Sequence, residues 1–135
     1  MKELKSEVPY GALDLMILKT LQSMGTLHGY GIARRIEQVA EGSLALNQGT
    51  IYPALLRLEQ RGWISSDMGV SENNRRARFY TITRTGKQQL RIEEANWHRT
   101  VATVARLLEN ANEQPGGVAL AIRRPGSRKP DEPPE

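Results

Sequence analysis

LNQGTIYPALLRLEQRGWI, Leu46 to Ile64, reads as one complete helix with both of its ends marked. Asn47 is a residue type that caps a helix start with its side-chain oxygen, and Gly62 stands where a left-handed residue ends a helix. Arg61 puts a cation in the last turn, where the backbone dipole favours one. Between these ends Ile51, Ala54, Leu55 and Leu58 recur at helical spacing and make one apolar stripe, so this face packs on a core. Thr50, Tyr52, Arg57 and Gln60 point elsewhere and offer hydrogen-bonding and cationic groups, with Glu59 the one carboxylate of the stretch. Such a surface suits a partner made of phosphates and base edges. Leu56 lies off the stripe without an assigned role. Pro53 removes a backbone bond, so the regular helix is expected to begin nearer Thr50 than Asn47.

Upstream, Gly11 to Met24 carries Leu13, Met16, Ile17, Leu21 and Met24 on one side and predicts a first helix. Leu15 and Leu18 widen its apolar surface, which implies cover on two sides, by its own domain and by a second subunit. Gly25 and His28-Gly29-Tyr30-Gly31 interrupt the pattern with turn residues before Ile32, Ala33, Ile36 and Val39 resume it as a second helix. Leu44-Ala45-Leu46 is the candidate for a very short strand ahead of the Asn47 helix. Downstream, Trp63 to Met68 and Arg78 to Thr83 alternate around the turn-rich Val70 to Asn74, which is a hairpin signal. Three helices followed by a hairpin with Arg75, Arg76 and Arg78 in or beside its loop is the element order of a winged helix-turn-helix.

Thr83 is placed to cap a long last helix, in which Leu90, Trp97, Val104 and Ala111 recur every seven residues with Val101 and Leu108 between them. Glu94 interrupts the early half of this seam, which predicts a helix that packs on a partner helix and on the first helix, not an extended coiled coil, in a two-fold dimer whose interface is Leu90, Trp97, Val101, Val104 and Leu108. From residue 113 onward the composition changes: five of the seven prolines fall there, and no aromatic residue does. Such a segment buries too little to fold alone and is expected to be disordered, apart from the short apolar run Val118 to Ile122. The expected organisation is therefore mainly α with a small β-hairpin: a winged helix-turn-helix domain over 1–83, a dimerisation helix over 84–112, and a tail over 113–135.

Over its 135 residues the chain has 19 Lys and Arg against 15 Asp and Glu, a formal net charge of +4. An excess of this size favours an anionic partner only where the cations cluster, as they do at the hairpin. Absence of cysteine removes disulfides, thiol nucleophiles and cysteine zinc sites from consideration and fits a reducing cytoplasm. The two histidines, His28 and His98, have no metal-ligand spacing, and no nucleophile elbow or glycine-rich phosphate loop occurs. No metal, cofactor or enzymatic activity is expected. The charged opening MKELKSEVPYG and the absence of a long apolar run argue against a signal peptide or membrane span and for a cytoplasmic protein.

The HGY of His28 to Tyr30, GTIYPALLRLEQRGWI of Gly49 to Ile64, and RFYTIT of Arg78 to Thr83 followed by Gly86 together resemble the PadR family of transcriptional regulators. The likeness runs from about Gly11 to about Leu108. It implies a winged-helix DNA-binding domain, a C-terminal helix that dimerises, and action as a repressor on double-stranded DNA with a pseudo-palindromic operator. Gln48, Thr50 and Tyr52, at the start of the recognition helix, are then expected to approach the groove, with Arg57 further along it. For Tyr52 two readings stand, a hydroxyl that bonds a phosphate and a ring that covers the hairpin. Arg75 and Arg76 are expected on the DNA backbone, and Arg78 either joins them or turns inward with its strand. Trp97 resembles a tryptophan of some short family members that lines a pore between subunits, where planar drugs stack. That implies a planar apolar effector held by Trp97 and Val101. Rival readings are a winged helix that binds an acidic protein, and a drug-binding dimer with little DNA role.

Overall fold

The computed structural model describes residues 11–110. They form α1 (Ala12–Met24), β1 (Leu27–His28), α2 (Gly29–Ala40), α3 (Gln48–Gln60), β2 (Ile64–Val70), β3 (Arg76–Ile82) and α4 (Arg84–Asn110). The tail expected over 113–135, the last two residues of the expected dimerisation helix and the N-terminal segment before Gly11 lie outside the described residues. Two compact units divide the chain, one ending at Ala95 and the other beginning at Asn96. In the first, three helices and a three-stranded antiparallel sheet of order β1-β3-β2 make a winged helix-turn-helix.

α3 is built as its sequence dictates. Asn47 Oδ1 accepts a bond from the Thr50 N–H at 3.0 Å, the geometry of an N-cap. At the other end the Trp63 N–H reaches the Leu58 carbonyl at 3.1 Å and the Gly62 N–H reaches the Glu59 carbonyl at 2.9 Å. Gly62 sits at φ 79°, which a side chain would resist, and the pair of bonds is a Schellman stop. Helical geometry begins at Gln48, earlier than Pro53 suggests. The bond that Pro53 lacks would have gone to the Gly49 carbonyl, and both residues are exposed, so solvent can satisfy that carbonyl.

The core lies where the apolar faces of these elements meet. Ile17 and Leu18 of α1, Ile32 of α2, Leu55 and Leu58 of α3, Ile64 of β2 and Leu90 of α4 are fully buried together. Each such side chain contributes roughly 1.5–3 kcal/mol of hydrophobic stabilisation relative to exposure. Val39, read as part of the core stripe of α2, is instead exposed at its C-terminal end.

Leu90 corrects the heptad reading. It is 0% exposed and belongs to the core of its own winged helix, so it has no surface to offer a second subunit. The first turns of α4 are drawn in by a tight joint. Thr83 caps α4 through the Gly86 N–H at 3.0 Å while its hydroxyl donates to the Gly62 carbonyl at 2.7 Å, and its own N–H bonds the Trp63 carbonyl at 3.0 Å. At Gly86 the helix passes so close to the turn after α3 that a Cβ there would lie 2.0 Å from the Trp63 carbonyl oxygen.

The sheet also differs from the hairpin expected. β2 and β3 pair from Ile64↔Ile82 to Val70↔Arg76, and β1 adds Leu27↔Tyr80 and His28↔Phe79 on the other edge of β3. Leu44 to Leu46 forms a single bridge residue, Leu44, and no full strand, and the Glu37 carboxylate of α2 accepts the Leu46 N–H at 3.1 Å. β1 hides in the sequence because its two residues run directly into the cap of α2: His28 Nδ1 accepts the Gly31 N–H at 2.9 Å. A segment too short to alternate leaves no periodic signal.

Candidate nucleic-acid interface

α3 buries Ile51, Ala54, Leu55 and Leu58 and thereby turns its opposite face to solvent. Gln48, at the first helical position, is exposed, and its side chain makes no bond among the described residues. Thr50 is half-buried, with its hydroxyl 3.2 Å from Asn47 Oδ1, so it reinforces the cap at the end of the helix where backbone N–H groups stand free.

Tyr52 joins two functions. Its ring lies against the first residue of α2: a Cβ on Gly29 would come within 2.8 Å of Tyr52 Cε1, so Gly29 is the residue that lets α2 and α3 meet here. The ring therefore covers the start of α2, and Tyr52 is also near enough to Tyr80 of β3 to add to the rise in pKa that burial gives that hydroxyl. Tyr52 is still 41% exposed, which leaves part of its surface toward solvent beside the start of α2. Tyr30 next to Gly29 is 64% exposed, and the Arg34 guanidinium stands 5.9 Å from its ring centroid. This aromatic and cationic pair was missed in the sequence because HGYG looks like a turn. The signal was present in the four-residue spacing of Tyr30 and Arg34, which puts both on one helix face.

Arg57, expected along the DNA-facing helix, is ion-paired within the chain. Its guanidinium is bound by Asp14 of α1, Nη2 to Oδ1 at 2.5 Å and Nε to Oδ2 at 3.3 Å, and Arg61 stands 3.7 Å from the same carboxylate. Two parallel bonds to a planar carboxylate fix the side chain along α1. Arg61 in turn lies over the Trp63 ring at 5.1 Å. These arginines tie the C-terminal half of α3 to α1.

The hairpin tip is closed by the Ser71 N–H on the Arg75 carbonyl and the Asn74 N–H on the Ser71 carbonyl, both at 2.8 Å, with Asn74 at φ 59°. Asparagine tolerates that conformation better than most residues. Arg75 and Arg76 follow at once, both exposed, and neither side chain has a hydrogen bond or ion pair among the described residues. Arg78 is held differently: Nη1 donates to Ser66 Oγ at 3.1 Å, and the Ser66 hydroxyl donates to Glu59 of α3 at 2.7 Å. It faces the same side of the sheet as buried Tyr80, whose hydroxyl is pushed above its ordinary pKa by burial, with Arg78 opposing. Arg78 thus links sheet to helix, and Arg75 and Arg76 are the cations left to reach outward from the wing.

In the second unit α4 presents Trp97, Val101, Val104 and Leu108 at 40, 46, 47 and 67% exposure. Their spacing of four, three and four residues puts them in one stripe along the helix. Among the described residues no three His, Cys, Asp or Glu side chains lie close enough to hold a metal ion, and no helix is long and apolar enough to cross a membrane.

Residues 17–92 match the model of the PadR-like transcriptional regulator family. A solved transcriptional regulator from Clostridium thermocellum is 29% identical with a TM-score of 0.64, the likeness covering 71% of this chain and 92% of that one. A PadR family transcription regulator from Clostridium difficile R20291 is 32% identical with a TM-score of 0.61, covering 73% of this chain and 99% of that one. An uncharacterized protein of Lysinibacillus sphaericus is 27% identical over 93 residues, 69% of this chain and 84% of its own length.

Proposed function

The chain belongs to the PadR-like transcriptional regulator family and is a DNA-binding transcriptional regulator, not an enzyme; from that premise we propose that it is a cytoplasmic homodimeric repressor. In this reading the two α3 helices enter successive major grooves of a pseudo-palindromic operator, Gln48, Thr50 and Tyr52 lead, and the wings grip the flanking backbone through Arg75 and Arg76. The observation that carries it is the wing: two adjacent exposed arginines without partners among the described residues, beside a third, Arg78, that is held inward. Adjacent exposed guanidiniums at a wing tip suit phosphates.

Replacing both by alanine tests the wing. Each phosphate-bound cation steepens the slope of log affinity against log salt by about 0.9, so a dimer that loses four should have a slope shallower by roughly 3 to 4 and weaker affinity for every sequence. An unchanged slope would remove Arg75 and Arg76 from the interface and favour an acidic protein as the partner of the basic face.

Dimerisation through Trp97, Val101, Val104 and Leu108 is supported by the exposed stripe those residues form. Relief of repression by a planar apolar effector between the two copies of Trp97, with Val101 as a wall, is a reading that rests on family resemblance and on the exposure of that indole. Trp97→Ala should abolish the fluorescence response to a planar dye while Trp63 still emits. Dye binding that survives the change would place the effector elsewhere.

A further inference from the structure

On the solvent side of α3 the residues Gly49, Pro53, Leu56 and Gln60 follow one another at steps of four, three and four, directly opposite the buried stripe, and all are exposed. Three have an evident place: Gly49 and Pro53 are short, and Gln60 is polar. Leu56 is a large apolar side chain, 57% exposed, in the middle of the helix that meets DNA. Single exposed leucines are common on proteins, and position alone makes this one informative.

A B-form major groove is about as wide as a helix with its side chains, so the ridge of the helix farthest from the core comes nearest to the base edges. Gly49 and Pro53 keep that ridge low at its N-terminal end, which lets the backbone approach and leaves Leu56 as its most prominent side chain. Base edges in the groove are otherwise lined by donors and acceptors, and burying Leu56 against those would strand them without partners. The single apolar group displayed there is the C5-methyl of thymine.

We infer that Leu56 is a specificity-determining residue that packs on a thymine C5-methyl in each operator half-site, with the Pro53 ring alongside. This rests on the reading of α3 as the recognition helix and extends it from phosphate contact to base choice. Leu56 is exposed and lies outside the buried core, so its replacement should leave the fold intact.

The test uses the full chain and an operator recovered by selection from random duplexes. Each thymine is replaced in turn, in both half-sites, by deoxyuridine, which removes only the methyl. One position should weaken wild-type binding about four-fold per half-site, on the order of fifteen-fold for the symmetric duplex, by the transfer free energy of one buried methyl. Leu56→Ala should bind the thymine operator more weakly than wild type and be indifferent to deoxyuridine at that position, giving a clear coupling in the double-mutant cycle. Neutral deoxyuridine at every position, or a deoxyuridine cost that persists in Leu56→Ala, overturns the assignment while leaving the DNA-binding reading in place. Failure of the wild-type protein to select any sequence overturns both.

Discussion

Asn47 and Gly86 stand at opposite extremes of how a single residue supports this fold. Asn47 acts locally, its side-chain oxygen accepting the Thr50 N–H and the Thr50 hydroxyl. Asn47→Ala should lower stability to urea by about 1 kcal/mol and, by fraying the end of α3 that leads into the groove, weaken DNA binding as well. Gly86 acts at a distance, because the Trp63 carbonyl occupies the space a side chain would need. Gly86→Ala forces backbone to move and should cost on the order of 1–3 kcal/mol or more, a larger loss of thermal stability than removing the cap. The cap is legible from residue type and spacing. Gly86 is legible only as a glycine near the start of a helix, since its necessity comes from an atom in another element.

At the level of elements, α1 holds the recognition helix as much as the core does. Asp14 binds Arg57 along two bonds and lies near Arg61, so one carboxylate of α1 restrains the C-terminal half of α3. Asp14→Ala should reduce stability by no more than about 1 kcal/mol, because the arginines are partly exposed and the pairs are screened by solvent. Its larger effect should be on DNA. With the carboxylate gone, Arg61 loses its ion pair beside a helix that meets phosphates, and non-specific binding should gain salt dependence by up to about 0.9 per subunit if that arginine finds one. Titrating a random duplex at several salt concentrations measures this. The same contact was not legible in the sequence: a cation in a helix cannot announce that a carboxylate on another helix of the same chain binds it.

For the whole molecule, the proposed dimer makes one demand that is simple to check. Trp97, Val101, Val104 and Leu108 form the exposed stripe of α4, and a charge in its middle opposes burial against a second copy. Val101→Asp combined with Val104→Asp should sediment as a monomer with an unchanged far-ultraviolet dichroism spectrum. Operator affinity should fall at least a hundred-fold, since the two half-sites are no longer bound together. A variant that stays dimeric would move the interface away from this stripe.

The α3 helix, its cap and stop, the helix-helix-helix-hairpin order and the basic wing follow from the sequence alone, because each rests on periodicity, turn chemistry or residue type within a few positions. Leu90 followed the same heptad logic as Trp97 and Val104, yet lies in the core, because a helix that serves both its own domain and a further surface carries one periodic pattern for two partners. β1, too short to alternate, exists through pairing with β3. Tyr52 against Gly29, Arg57 on Asp14 and Arg78 on Ser66 are likewise settled by neighbours remote in sequence. Local patterns set which elements form and which way their apolar sides face. Which polar and charged groups remain available for DNA was decided by packing, since a cation is free for a phosphate only after the folded chain has claimed the partners it needs for itself.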